Sequence, residues 1–176
     1  MSIMHILIYP DPLLREKALE VEKFGPDLEA FSSSLLETMY TYSGVGLAAP
    51  QVGVLKRIFV MDVNPEGEGT PLVFVNPEIV ARSTETHMVD EGCLSFPGVT
   101  ELVSRFTQVT VRAKDEKGQV FEVTLEGLGS QCAQHEIEHL DGHVLVDNIG
   151  RAKRRFITKN LKNRKKTKGL RYTVPR

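Results

Sequence analysis

Nowhere in the 176 residues is there an apolar run approaching the 18 or so that mark a membrane-spanning helix. The opening stretch MSIMHILIYPDPLLREKALE has no basic leading segment, too short an apolar core and no small-residue cleavage site. It is therefore not read as a secretory signal, and the expectation is a cytoplasmic protein that meets no membrane. Cysteine is scarce. Cys93 and Cys132 are the whole complement, and without an export signal both read as thiols rather than as a disulfide. Low-complexity tracts and internal repeats are absent too, which leaves a soluble globular chain whose length suits one domain. The last absence is of one charge sign: no acidic side chain occurs beyond Asp147.

That absence divides the chain. Residues 1–150 hold 10 basic and all 23 acidic side chains, a balance of −13, whereas residues 151–176 hold 12 basic ones and none acidic, +12. A basic block at one end fits a polyanion such as nucleic acid, or equally a solvated helix that binds nothing. Upstream, Leu28, Phe31, Leu35, Met39 and Tyr42 recur three or four apart, which predicts an amphipathic helix over 27–42 stopped by Gly44 and Gly46. Strand-like runs follow at 57–63, 72–80, 86–90, 108–113 and 120–125, with a turn at Asp115–Gly118 between the last two. A second helix is predicted over 127–141, ended by Gly142, and a third from 151 to about 167 with Phe156, Ile157 and Leu161 as its apolar stripe. Clustered strands between few helices predict an α+β fold with mainly antiparallel pairing.

The second helix contains Gln134-His135-Glu136-Ile137-Glu138-His139. Positions i and i+4 share one helix face, so His135 and His139 can reach one metal ion, while Glu136 is placed to take a proton from water and return it to a leaving group. The same spacing also occurs on ordinary amphipathic helices, where it means nothing. A catalytic centre of this kind needs a third protein ligand and an open position. A thermolysin-like glutamate is excluded by the lack of acid downstream. A metzincin-like histidine is excluded because Leu145 stands where it belongs. His143 falls off the face, Asp147 stays open but very close in sequence, and Cys132 reads as core. Cys93, in Glu91-Gly92-Cys93-Leu94-Ser95-Phe96-Pro97-Gly98, is the better third ligand, since a thiolate suits zinc or ferrous iron and the flanking glycine and proline can present it. Glu91 is a candidate ion-pair partner for Arg105, either bracing this loop or exposed. A third stretch, Gly44-Val45-Gly46-Leu47-Ala48-Ala49-Pro50-Gln51-Val52-Gly53, reads first as a glycine-bounded turn, with Gln51 as a possible oxyanion donor.

Taken together and in this order, GVGLAAPQVG, EGCLSFPG and QHEIEHLDG resemble the peptide deformylase family, over nearly the whole chain. The resemblance implies antiparallel sheets around a central metal-binding α-helix, with residues 1–150 catalytic and 151–176 a basic C-terminal helix or tail of the same domain. It implies hydrolysis of the formyl group from N-formylmethionine on newly synthesised polypeptides, with release of formate. The implied ligands are Cys93, His135 and His139 around one divalent ion, Fe2+ in the cell, with Zn2+, Ni2+ or Co2+ able to substitute. Glu136 would be the acid and base, Gln51 and the Leu94 backbone N–H the donors to the formyl oxygen. Gly46 would bind the peptide backbone and Val45 would line the methionine pocket. The implied partners are N-formylmethionyl nascent peptides and, through residues 151–176, the ribosome. Three residues depart from the family pattern: Phe96 stands where isoleucine is common, Thr100 where some members carry an arginine near the peptide's second residue, and His143 is unusual just after the third box. These departures bear on substrate preference.

Overall fold

A computed structural model describes residues 2–64 and 67–168. The last part of the expected basic tail, 169–176, lies outside them. In chain order the elements are helix α1 (Pro26–Thr41), strands β1 (Gly46–Ala48), β2 (Ile58–Met61), β3 (Leu72–Arg82), β4 (Thr86–Gly92), β5 (Thr100–Phe106), β6 (Gln108–Lys114) and β7 (Val120–Glu126), then helices α2 (Gly127–Leu140) and α3 (Arg151–Lys168). Short 3-10 turns at Pro12–Arg15, Ala49–Val52 and Leu145–Asn148 join them. Five strands form one antiparallel sheet in the order β1-β2-β3-β6-β7, and β4 pairs with β5 in a separate antiparallel hairpin. The α+β expectation with antiparallel sheets about a central helix holds.

Strand β2 shows why the helices sit where they do. All four of its residues are buried, because successive side chains point to opposite faces and both faces are covered. Ile58 and Val60 join Leu28, Leu35 and Met39 of α1, the stripe predicted from spacing, while Phe59 and Met61 join Cys132, Ala133, Ile137 and Leu140 of α2. Phe59 and Phe74 stack across β2 and β3 with centroids 4.4 Å apart. A third cluster gathers Tyr9, Leu14, Phe96, Val103 and Val144–Val146 around Ile157 and Leu161 of α3. Phe156 corrects the predicted stripe: it is 67% exposed, since i and i+4 face the body and its neighbour on the turn does not.

Two strands were not predicted. β1 has only three residues. In β5 the inward positions include Arg105, so the strand lacks apolar alternation. The register pairs Gly92 with Thr100, which makes residues 93–99 the loop of the β4–β5 hairpin. No helix among the described residues is long and apolar enough to cross a membrane.

Candidate metal centre

Helix α2 runs between the two sheets with Ser130, Cys132, Gln134, His135, Glu136 and His139 all buried. Its end is fixed by Gly142. This residue has φ +77, and a Cβ there would come within 2.4 Å of the Arg15 carbonyl oxygen, so both backbone and space require glycine. At the near end, Gln134 ties α2 to β5 by accepting from Phe106 N and donating to Phe106 O.

The two histidines meet as the i, i+4 spacing predicts, with His135 Nε2 and His139 Nε2 3.1 Å apart. Cys93, the first residue after β4, brings its Sγ to 3.3 Å from His139 Nε2. The ligand atoms of Cys93, His135 and His139 all lie within 4.8 Å of one another, and they form the metal-ligand group found among the described residues. His135 Nδ1 is 2.6 Å from Glu91 Oε1, and a carboxylate there accepts, so the proton is on Nδ1 and Nε2 presents a lone pair. With the proton on Nδ1, the lone pair of His135 Nε2 faces His139 Nε2 and Cys93 Sγ, and a cation placed among the three would accept a pair from each. One sulfur and two imidazoles form a donor set suited to zinc or ferrous iron. The residues present fit a divalent cation.

Other predicted candidates fall outside. Asp147 accepts from Arg15 and from Val144 N, away from the histidines. Cys132 is core, its thiol against the Val45 carbonyl, and His143 is exposed. Neither belongs to the ligand group formed by Cys93, His135 and His139 among the described residues.

Glu136, the next residue along the helix, points toward β1 and into the same cavity as His135. A Cβ on Gly46 would lie 2.7 Å from Glu136 Oε1 and 2.5 Å from Cys132 Sγ, so this glycine is what lets the strand lie against the carboxyl. Glu136 Oε2 is buried with no hydrogen-bond partner among the described residues. Burial raises this carboxyl to about 7, close to neutral pH. Gln51 sits on the turn after β1, where its Oε1 accepts from Ala48 N at 2.9 Å. That bond fixes the amide so that Nε2 faces the site, 3.5 Å from Cys93 Sγ and 3.1 Å from Ser95 Oγ. Val45, Gly46, Gln51, Leu94, His135 and Glu136 all line one cavity of about 490 Å³, with Leu128 and Cys132 adding apolar wall.

The expected Glu91–Arg105 contact is made, and it is buried, at 2.6 Å with 3% and 4% side-chain exposure respectively. Burial alone would raise the Glu91 carboxyl, but hydrogen bonds from Arg105 and His135 outweigh it and hold it near 2. The contact of Glu91 with His135, and the grip of Glu138 on Arg105, were not foreseen. Ser95, fully buried beside Gln51, was also missed. Its only signal was its place in the Gly-Cys-Leu-Ser box.

A polypeptide deformylase family model matches residues 3–155. The peptide deformylase of Alkalilimnicola ehrlichii is 47% identical over 161 residues, covering 92% of this chain and 90% of its own length. That of Rhizobium meliloti is 42% identical over 170 residues, covering 96% and 98%. Among solved structures, a peptide deformylase from Legionella pneumophila aligns with TM-score 0.89 at 41% identity, covering 96% of this chain and 98% of that one.

Proposed function

The chain belongs to the polypeptide deformylase family, and on that premise we propose how its residues share one hydrolysis. The substrate is the N-formylmethionine end of a newly synthesised polypeptide, and the products are formate and the free amine. The observation that carries this reading is the convergence of Cys93, His135 and His139 beside the buried Glu136 at one end of a cavity.

Cys93, His135 and His139 hold the cation, which is Fe2+ in the cell, with Zn2+, Ni2+ and Co2+ as substitutes. When bound, the cation supplies charge that polarises the formyl carbonyl and acidifies water. The Glu136 carboxylate takes the proton of the attacking water and delivers it to the methionine nitrogen as the C–N bond breaks. Its unpartnered Oε2 is the atom available for this transfer. Gln51 Nε2, held in orientation by Ala48 N, donates to the formyl oxygen as negative charge grows, together with the Leu94 backbone N–H. Loss of one such donor costs about 3–4 kcal/mol of barrier. Gly46 binds the peptide backbone, and Val45 lines the apolar pocket for the methionine side chain. A formyl carbon bears only hydrogen, so a narrow site admits it and rejects acetyl.

Residues 1–150 are the catalytic part, and 151–176 belong to the same domain, as the burial of Ile157 and Leu161 supports. Helix α3 presents Arg151, Arg154, Arg155, Lys159 and Lys162 around a surface cavity beside Tyr9, a charge pattern suited to ribosomal RNA phosphates in the cytoplasm. Ribosome co-sedimentation over a salt series tests that partner.

The central experiment pairs cation analysis of anaerobically purified protein with formate release from formyl-Met-Ala and acetyl-Met-Ala. One cation per chain and turnover of the formyl peptide alone are expected. Turnover that survives complete removal of the cation overturns the reading.

A further inference from the structure

Arg105 is a buried arginine held from two sides. Its Nε donates to Glu91 Oε2 at 2.9 Å and its Nη2 to Glu91 Oε1 at 2.6 Å. From the opposite side, Nη1 donates to Glu138 Oε1 at 2.6 Å and Nη2 to Glu138 Oε2 at 3.1 Å. Glu138 in turn accepts from Asn148 Nδ2 at 3.0 Å, on the turn that precedes α3. The same Glu91 Oε1 that accepts a hydrogen bond from Arg105 Nη2 also accepts one from His135 Nδ1. A continuous chain of hydrogen bonds therefore runs from Asn148 through Glu138, Arg105 and Glu91 to His135.

Charge explains why two carboxylates are needed. A guanidinium paired with Glu91 alone would cancel that carboxylate, and the His135 ring would have a neutral group behind it. With Glu138 present, two carboxylates face one guanidinium, and a net negative charge remains behind the ring. A carboxylate that keeps its charge pulls harder on the ring N–H, which makes the opposite nitrogen a stronger donor and fixes the ring plane.

We propose that Glu138 is a positioning residue for the cation site, acting through Arg105 and Glu91 on His135, with Asn148 as the outer brace that orients it. This rests on the ligand assignment above. Glu138 touches neither cation nor substrate. Its role is to set how firmly His135 binds.

The test is performed on the full chain with Co2+ and Zn2+ as probes, by competition against a chelator. Glu138→Gln keeps the shape and removes the charge, and is expected to weaken cation affinity by about 10-fold. Glu138→Asp, which keeps the charge, should recover part of that loss, and Asn148→Ala should give a smaller loss in the same direction. In the Zn2+-loaded protein, 15N-histidine spectra should show the His135 Nδ1 proton moving upfield in Glu138→Gln. A residue that merely held the fold together would lower the melting temperature and leave that proton in place. Unchanged affinity and an unmoved proton in Glu138→Gln, with wild type still loading the cation, overturn the proposal alone. Wild-type protein that takes up no cation, or Cys93→Ser that binds it equally well, overturns the ligand assignment instead.

Discussion

Helices α2 and α3 differ in what surrounds their charges. In α2 the ionisable groups His135, Glu136 and His139 are each under 7% exposed, and in α3 the basic side chains from Arg151 to Arg164 are all exposed. A buried charge must be answered by a specific neighbour, so removing one atom leaves another stranded. An exposed charge is answered by water and salt, and its pairs are worth about 0–1 kcal/mol. Ionisable side chains therefore specify a site where they are buried in one helix and only a surface potential where they are exposed on the other.

The sharpest way to break this contrast is Glu136→Ala. Acid–base residues contribute about 10²–10⁴-fold to rate, so kcat/KM for formyl-Met-Ala should fall by that range while cation content stays at wild-type level. Formate release within a few-fold of wild type would take the proton-transfer role away from Glu136.

A comparable free energy attaches to α3 only where it is buried. Leu161 is 1% exposed among Phe96, Val103 and Val144–Val146. Leu161→Ala should cost about 2–5 kcal/mol of stability, read from denaturant midpoints, with cation stoichiometry unchanged. If the site empties as well, α3 is a structural part of the centre, and the contrast between the two helices fails.

A smaller effect is expected at Gly46, where contact is made by what a side chain lacks. A methyl group there must displace Cys132 Sγ or Glu136 Oε1. Gly46→Ala should lower kcat/KM about 10-fold, roughly 1.4 kcal/mol, with the loss removed neither by added cation nor by cooling. Wild-type turnover would mean that Glu136 has room to move and needs no fixed place.

What was legible in the sequence follows the same division. The i, i+4 pair His135 and His139 was readable because a helix converts spacing directly into a shared face. Cys93 was readable as a candidate because glycine and proline around it signalled a presenting loop. Strand β5 was missed because its inward side is Glu101, Val103 and Arg105, and an arginine there makes sense only beside Glu91 and Glu138, brought from β4 and α2. Phe156 was misplaced by one helix position. The +12 charge of 151–176 was obvious in composition, yet composition gives a charge and no contact.

The weakest effect lies where the two regions meet. Asp147 accepts from Arg15 at 2.7 Å and from Val144 N at 3.0 Å, and Arg154 of α3 stands 3.7 Å away. Burial would raise its carboxyl, but the hydrogen bonds from Arg15 and Val144 and the charges of Arg15 and Arg154 hold it below the usual range. A carboxyl lowered in the folded state stabilises above its unfolded pKa of about 3.9, and that contribution fades as pH falls through the lower folded value. With Arg15 about a third exposed, Asp147→Asn should cost no more than about 1 kcal/mol at neutral pH. The melting temperatures of wild type and variant should differ at pH 7 and converge below about pH 4. A gap that persists in acid would take the effect away from the charge of Asp147, since the amide of Asp147→Asn keeps an oxygen for the Val144 N–H.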